Sequence, residues 1–126
     1  MAMWTQNELD AIGRAEELQL EALKKDGSLR KPVTMWVVRV GDDLYVRSAN
    51  GPTGKWFQAS QVQHKGQIRA GGVVKNVNFE NESNPAVHDK IDAAYNSKYG
   101  HYEKSVFDPM VRPAIRASTI KLVPQD

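Results

Sequence analysis

Arginine, lysine, glycine and tryptophan gather between Leu29 and Gln61, in LRKPVTMWVVRVGDDLYVRSANGPTGKWFQASQ. Arg30 and Lys31 enter this run, Trp36 lies inside its first apolar stretch, and Arg47 and Ser48 close the second; Asn50, Gly51, Gly54 and Lys55 follow before Trp56. A glycine-containing loop with a lysine at a strand end can hold a phosphate through backbone N–H groups and point charges. An indole near an arginine can serve as a flat platform for a planar ring. The same residues also read as an ordinary loop after a hairpin and two packed tryptophans, and spacing alone leaves both readings open.

Other chemistries find little support. The chain has no cysteine, so disulfides, zinc–thiolate sites and thiol catalysis are excluded. His64, His88 and His101 lack metal-ligand spacing and are expected as surface or helix-end histidines, with no metal site. The serines have no nucleophile elbow. Asp42-Asp43 reads as a hairpin turn rather than an acid pair, and neither Gly51-Pro52-Thr53-Gly54-Lys55 nor Ala70-Gly71-Gly72 matches a P-loop or dinucleotide fingerprint. No residue is assigned as catalytic acid, base or nucleophile. The formal charge of +2 does not select a partner. No apolar run has the length of a bilayer span, and MAMWTQNELD carries a helix-capping pattern where a signal peptide would be basic and then apolar. A cytoplasmic protein without membrane contact is expected.

The elements that must position the basic and aromatic residues can be read from pattern. Thr5 and Glu8 form a capping box for a helix over Gln6 to Arg14, with Trp4 set to staple onto Leu9. Strands are predicted at Leu18 to Leu23, Val33 to Val40, Leu44 to Ser48, Gln67 to Ala70, Val73 to Glu80 and Ala117 to Val123. Gly41-Asp42 makes the clearest hairpin, pairing Val40 with Asp43, Val38 with Tyr45 and Trp36 with Arg47. Met35, Val37, Leu44 and Val46 then face the core. Trp36, Val38, Tyr45 and Arg47 share an outer face that a helix, a subunit or a ligand should cover. A short helix is expected from Trp56 to His64, and Asn84-Pro85 starts another that Gly100 stops, with Val87, Ile91, Ala94 and Tyr95 as its buried stripe. All 126 residues are expected in one domain.

The order of elements, together with LRKPVTMWVVRVGDDLYVRS, KWFQ, GQIRAGG, AAYNSKYG and TIKLVP, resembles a family of small bacterial proteins of unknown function related to the flavin-binding split barrels. That fold is shared with pyridoxamine-phosphate oxidases, and deazaflavin-dependent nitroreductases are near neighbours. The resemblance implies an α+β fold, a six-stranded antiparallel Greek-key split β-barrel with flanking short helices, paired as a two-fold homodimer. It also implies a cofactor, flavin mononucleotide or a deazaflavin, held by Arg30, Lys31, Thr34, Trp36, Arg47, Ser48, Asn50, Gly51, Lys55 and Trp56. An oxidoreductase acting on a small molecule would follow. The alternative is a non-catalytic binding module of the same fold with an empty or repurposed pocket. The fuller Gly/Ser-rich entry of the deazaflavin enzymes is not matched, nor is the Ser-Arg-Lys phosphate loop of the oxidases. Single-stranded nucleic-acid binding on Trp36, Trp56 and the basic residues is a lesser third reading.

Overall fold

The computed structural model describes residues 3–125. Helix α1 (Gln6–Arg14) starts where its capping box predicts: Thr5 accepts from the Glu8 N–H, and the Glu8 carboxylate accepts from the Thr5 N–H. Strands follow at β1 (Leu18–Ala22), β2 (Val33–Met35), β3 (Val38–Val40) and β4 (Asp43–Arg47). After helix α2 (Lys55–Gln63) come β5 (Lys65–Ala70), β6 (Val73–Asn81), helix α3 (Pro85–Tyr99), the short α4 (Lys104–Phe107) and β7 (Thr119–Pro124). The Gly71-Gly72 turn has φ of +57° and +83°, which suits the tight hairpin in which Ala70 faces Val73.

The seven strands form one antiparallel sheet ordered β2-β1-β5-β6-β7-β4-β3. β2 and β3 lie at opposite ends of that order, yet only Trp36 and Val37 separate them along the chain. Three peptide steps reach about 10 Å, so the sheet must curl until its ends nearly meet. This is the split barrel expected, with seven strands instead of six, because the predicted strand Val33 to Val40 is two. Its first half pairs with β1 and its second half with β4.

The break has a local cause. The Val37 N–H donates to the Tyr99 hydroxyl at 3.2 Å, and Lys98 Nζ donates to the Val37 carbonyl at 2.7 Å. Side chains of α3 thus satisfy backbone groups that a continuous strand would have paired. Val38 with Tyr45 and Val40 with Asp43 pair in the predicted register, but Trp36 does not pair with Arg47, which faces Thr119 of β7 instead.

Met35, Val37, Leu44 and Val46 are buried inside the barrel, where Leu9 and Ile12 of α1 and Phe57 of α2 also pack. On the other side of the sheet, Val38 and Tyr45 form a second core with Ile91, Tyr95 and Tyr99 of α3 and with Phe107 and Met110. The outer face of the hairpin is therefore covered by a helix of the same chain. Ile91 and Tyr95 are buried as predicted, Val87 and Ala94 pack at the margin, and His88 and Tyr99 complete the stripe. His88 is thus interior, not the surface or helix-end group expected. The last strand starts at Thr119 because Pro113–Ser118 is a 3₁₀ segment. Among the described residues, no helix is long and apolar enough to cross a membrane.

Candidate functional site

Three adjoining depressions share Val33 and Trp56. The first, about 350 Å³, has Leu20, Ala22, Val33, Trp56 and Ala59 as its apolar surface and Lys24, Arg30, Lys31 and Lys55 around it. The second, about 290 Å³, runs over Thr34, Met35 and Trp36 to Ala49, Arg47, Val106 and Met110, with Glu17 at its margin. The third, about 530 Å³, lies over Asn50, Thr53, Gly54 and Lys55. One continuous cleft results, basic at one end and aromatic at the other.

Local structure explains why the basic residues converge. The Lys24 N–H donates to the Ser28 carbonyl and the Arg30 N–H to the Ala22 carbonyl, closing the Asp26-Gly27 turn so that Lys24 and Arg30 stand on the two arms of the connection between β1 and β2. Lys55 opens α2, whose N-terminus receives no side-chain cap, so the positive end of that helix adds to the same region. Trp36 is fixed by stacking on Tyr99, with ring centroids 4.1 Å apart and planes 3° from parallel. Trp56 forms the shared wall.

Of the ten residues singled out by sequence, Arg30, Lys31, Thr34, Trp36, Arg47, Asn50, Lys55 and Trp56 line this cleft. Ser48 and Gly51 are buried behind it and line none of its three parts. The segment after β4 is less open than its glycines suggest. It turns through a 3₁₀ helix, Gly51–Thr53, in which the Gly51 N–H donates to Ser48 and the Gly54 N–H to Gly51. Those two backbone donors are engaged, leaving the side-chain cations and the uncapped N-terminus of α2 to meet an anion. Gly54 is required for close packing, since a Cβ there would lie 2.2 Å from Ser48 Oγ.

Arg47 reaches the cleft only as part of its inner wall. Its side chain is fully buried and ion-paired with Asp92, and it donates to Thr119 Oγ1 at 2.9 Å and to the Met110 carbonyl at 3.0 Å. Its remaining amino group lies 3.2 Å from His88 Nδ1. His88 Nε2 lies 2.9 Å from the Glu82 carbonyl, which can only accept, so Nε2 carries the proton and Nδ1 accepts from Arg47. Burial pushes the His88 pKa down; the Glu82 hydrogen bond opposes this, while the charges of Arg47 and Arg116 reinforce it. Asp92 also accepts from Arg116, which bridges to Asp89. Two arginines and two aspartates neutralise one another here.

Sequence reasoning did not mark Lys24, Val33, Glu17, Val106 or Met110 as parts of the cleft. The Asp26-Gly27 turn signalled Lys24, because a hairpin turn brings its flanks together. Val106 and Met110 come from the irregular segment after α3, where no periodicity indicates a direction. Among the described residues no group of three or more His, Cys, Asp and Glu side chains could hold a metal.

A curled antiparallel sheet, closed by one strand run that divides between its two ends, defines the split-barrel fold. Solved structures share it. A candidate pyridoxamine 5′-phosphate oxidase from Listeria innocua superposes with a TM-score of 0.66 at 15% identity, covering 94% of this chain and 90% of that one. An F420 reductase gives 0.62 at 14%, covering 98% and 97%. A FAD-binding protein from Mesorhizobium loti gives 0.60 at 16%, covering 99% and 93%. By its sequence, over residues 8–122, the chain belongs to the family of uncharacterized proteins conserved in bacteria, DUF2255. No curated protein matches the sequence.

Proposed function

We propose that the cleft binds a flavin-type cofactor, flavin mononucleotide or a deazaflavin, and that the protein is an oxidoreductase acting on a small molecule. The carrying observation is the grouping of Lys24, Arg30, Lys31 and Lys55 around an apolar surface shared with Trp56. This donor set suits a phosphate-bearing planar ring: Arg30, Lys31 and Lys55 would hold the phosphate, Val33 and Trp56 would lie against the ring, and Thr34 and Trp36 would bound its far end. The cofactor would supply hydride or electron transfer; the protein would bind, orient and shield it. Exposed Leu29, Val33 and Val106 beside the cleft suit burial against a second copy of the chain, so the reading includes a homodimer.

The engaged donors of Arg47, Gly51 and Gly54 favour a second reading, a binding module that holds a ligand without turnover. Titration of the purified protein with flavin mononucleotide and with a deazaflavin, followed by visible absorbance and fluorescence, tests both. Micromolar binding weakened about fivefold by each of Lys55→Ala and Arg30→Ala is expected, about 1 kcal/mol per exposed charge. Failure of both ligands to bind at that concentration, or affinity unchanged in the variants, refutes the cofactor site. Binding without reduction of the bound ring by any electron donor selects the module.

A further inference from the structure

The two ends of the cleft differ in charge. Four cations surround the first depression with no carboxylate among its lining residues. In the second, Glu17 supplies the free charge, because Arg47 is paired with Asp92 within the neutral arginine–aspartate group. Glu17 is exposed and, among the described residues, has no ion-pair or hydrogen-bond partner, whereas its neighbour Glu16 accepts from the Tyr102 hydroxyl. Trp36 and Trp56 both line this second depression, with Met35, Met110 and Val106 as apolar filling. Tyr99 backs Trp36 in a parallel stack, so the indole is a fixed surface. The electron-rich faces of indole rings attract cations, most strongly where apolar neighbours limit solvation.

We propose that the Glu17–Trp36–Trp56 depression is a subsite for a planar organic cation, a pyridinium-like or protonated heteroaromatic ring. The proposal rests on the flavin-type reading only in calling that cation the substrate: the cofactor phosphate occupies the basic end, and the cation lies at the aromatic end with its charge toward Glu17. Thr34, beside Trp36, contributes a hydroxyl at the edge of the same surface. An anionic ring is disfavoured at this end and drawn to the lysines at the other.

Three tryptophans make the test readable by nuclear magnetic resonance. Trp4 is buried, with its indole N–H bonded to the Leu122 carbonyl, and serves as an internal reference for Trp36 and Trp56. The cofactor-free protein, checked by visible absorbance, is titrated with 1-methylquinolinium and with naphthalene-1-sulfonate. The cation is expected to shift the Trp36 and Trp56 indole signals, leave Trp4 unmoved, and bind at least fivefold more tightly than the sulfonate at the Trp36 end. Glu17→Gln should weaken the cation about threefold, and Glu17→Lys should abolish its preference over the anion; both changes are at an exposed position that the fold does not use. Equal or tighter sulfonate binding at Trp36, no Trp36 shift, or unchanged cation affinity in both variants overturns the proposal. A parallel titration with flavin mononucleotide separates the two ideas: cation selectivity without flavin binding removes the cofactor and keeps the subsite, and flavin binding without cation selectivity does the reverse.

Discussion

Removing Asp92 should destabilise the protein, because the arginine it neutralises would stay buried without a counter-charge. The Arg47 side chain is fully buried, and that of Asp92 is 25% exposed. Deleting one partner of a buried pair costs about 3–5 kcal/mol, because the other charge remains desolvated. In Asp92→Ala the guanidinium keeps Thr119 Oγ1, the Met110 carbonyl and His88 Nδ1 but loses its counter-charge. Water can enter through the exposed flank of Asp92, so the lower end, about 3 kcal/mol, applies. With an unfolding entropy of about 2.1 cal/mol/K per residue, the chain's 126 residues give about 0.26 kcal/mol/K and a fall in Tm of about 11 °C. Arg47→Met instead removes the buried charge and leaves Asp92 paired with Arg116 at 2.6 Å, but it strands three buried acceptors, Thr119 Oγ1, the Met110 carbonyl and His88 Nδ1, at about 1 kcal/mol each, so its cost is also about 3 kcal/mol. Urea denaturation of both variants and of the double variant measures these costs. The double variant should lose much less than the two single losses added together, since the unpaired buried cation that makes Asp92→Ala costly is absent from it. A loss below about 1 kcal/mol in Asp92→Ala, or additive losses in the double variant, would refute the charge argument.

Acidification should weaken the fold through His88. Its native pKa lies below the ordinary 6.5, so the unfolded chain takes up the proton first. Stability is full above the unfolded pKa and falls as the pH drops from there through the lowered native value. Urea midpoints at pH 7.5 and 5.5 should differ by less in His88→Gln than in the parent, and an equal difference would exclude His88 as the source. Gly66 lies in the middle of the sheet, paired with Ala22 and Val77, and a Cβ there would come within 2.2 Å of the Glu21 carbonyl oxygen and 2.7 Å of Phe79 Cζ. Gly66→Ala should therefore cost more than about 3 kcal/mol or prevent folding, as overpacking against fixed backbone does. Gly27→Ala, at φ +87° with nothing within 4 Å, should cost about 1 kcal/mol, and parity between the two by thermal melting would contradict the packing.

The local signals in the sequence placed most elements correctly. Thr5 with Glu8 fixed the start of α1, Asn84-Pro85 the start of α3, and Gly41-Asp42 the register of Val38 with Tyr45. What local signals could not supply came from distant partners. β-branched and aromatic residues favour strand throughout Val33 to Val40, and the interruption at Val37 depends on Lys98 and Tyr99, side chains about sixty residues away. The same holds at the site. Eight of the ten marked residues line the cleft, because basic and aromatic types at a strand entry and a helix start tend to remain near the surface. Arg47 was marked by its charge, but its partners Thr119, Met110, Asp92 and His88 are 41 to 72 positions away.

The position of β7 bears on how the chain folds. It lies between β6 and β4, and without it the sheet falls into a four-stranded piece, β2-β1-β5-β6, and the hairpin of β3 and β4, joined along the chain through Trp36 and Val37. The ribosome makes β7 after every other strand. Each piece can pair as it is made, yet neither can complete the barrel, and the ladder between Leu44 and Leu122 closes a loop spanning most of the protein. Closure of so long a loop must be met in entropy before its contacts form, which places this fold among the slower small domains. Until then the facing edges of β4 and β6 stay unpaired, the interval in which association with another unfinished chain is most easily begun.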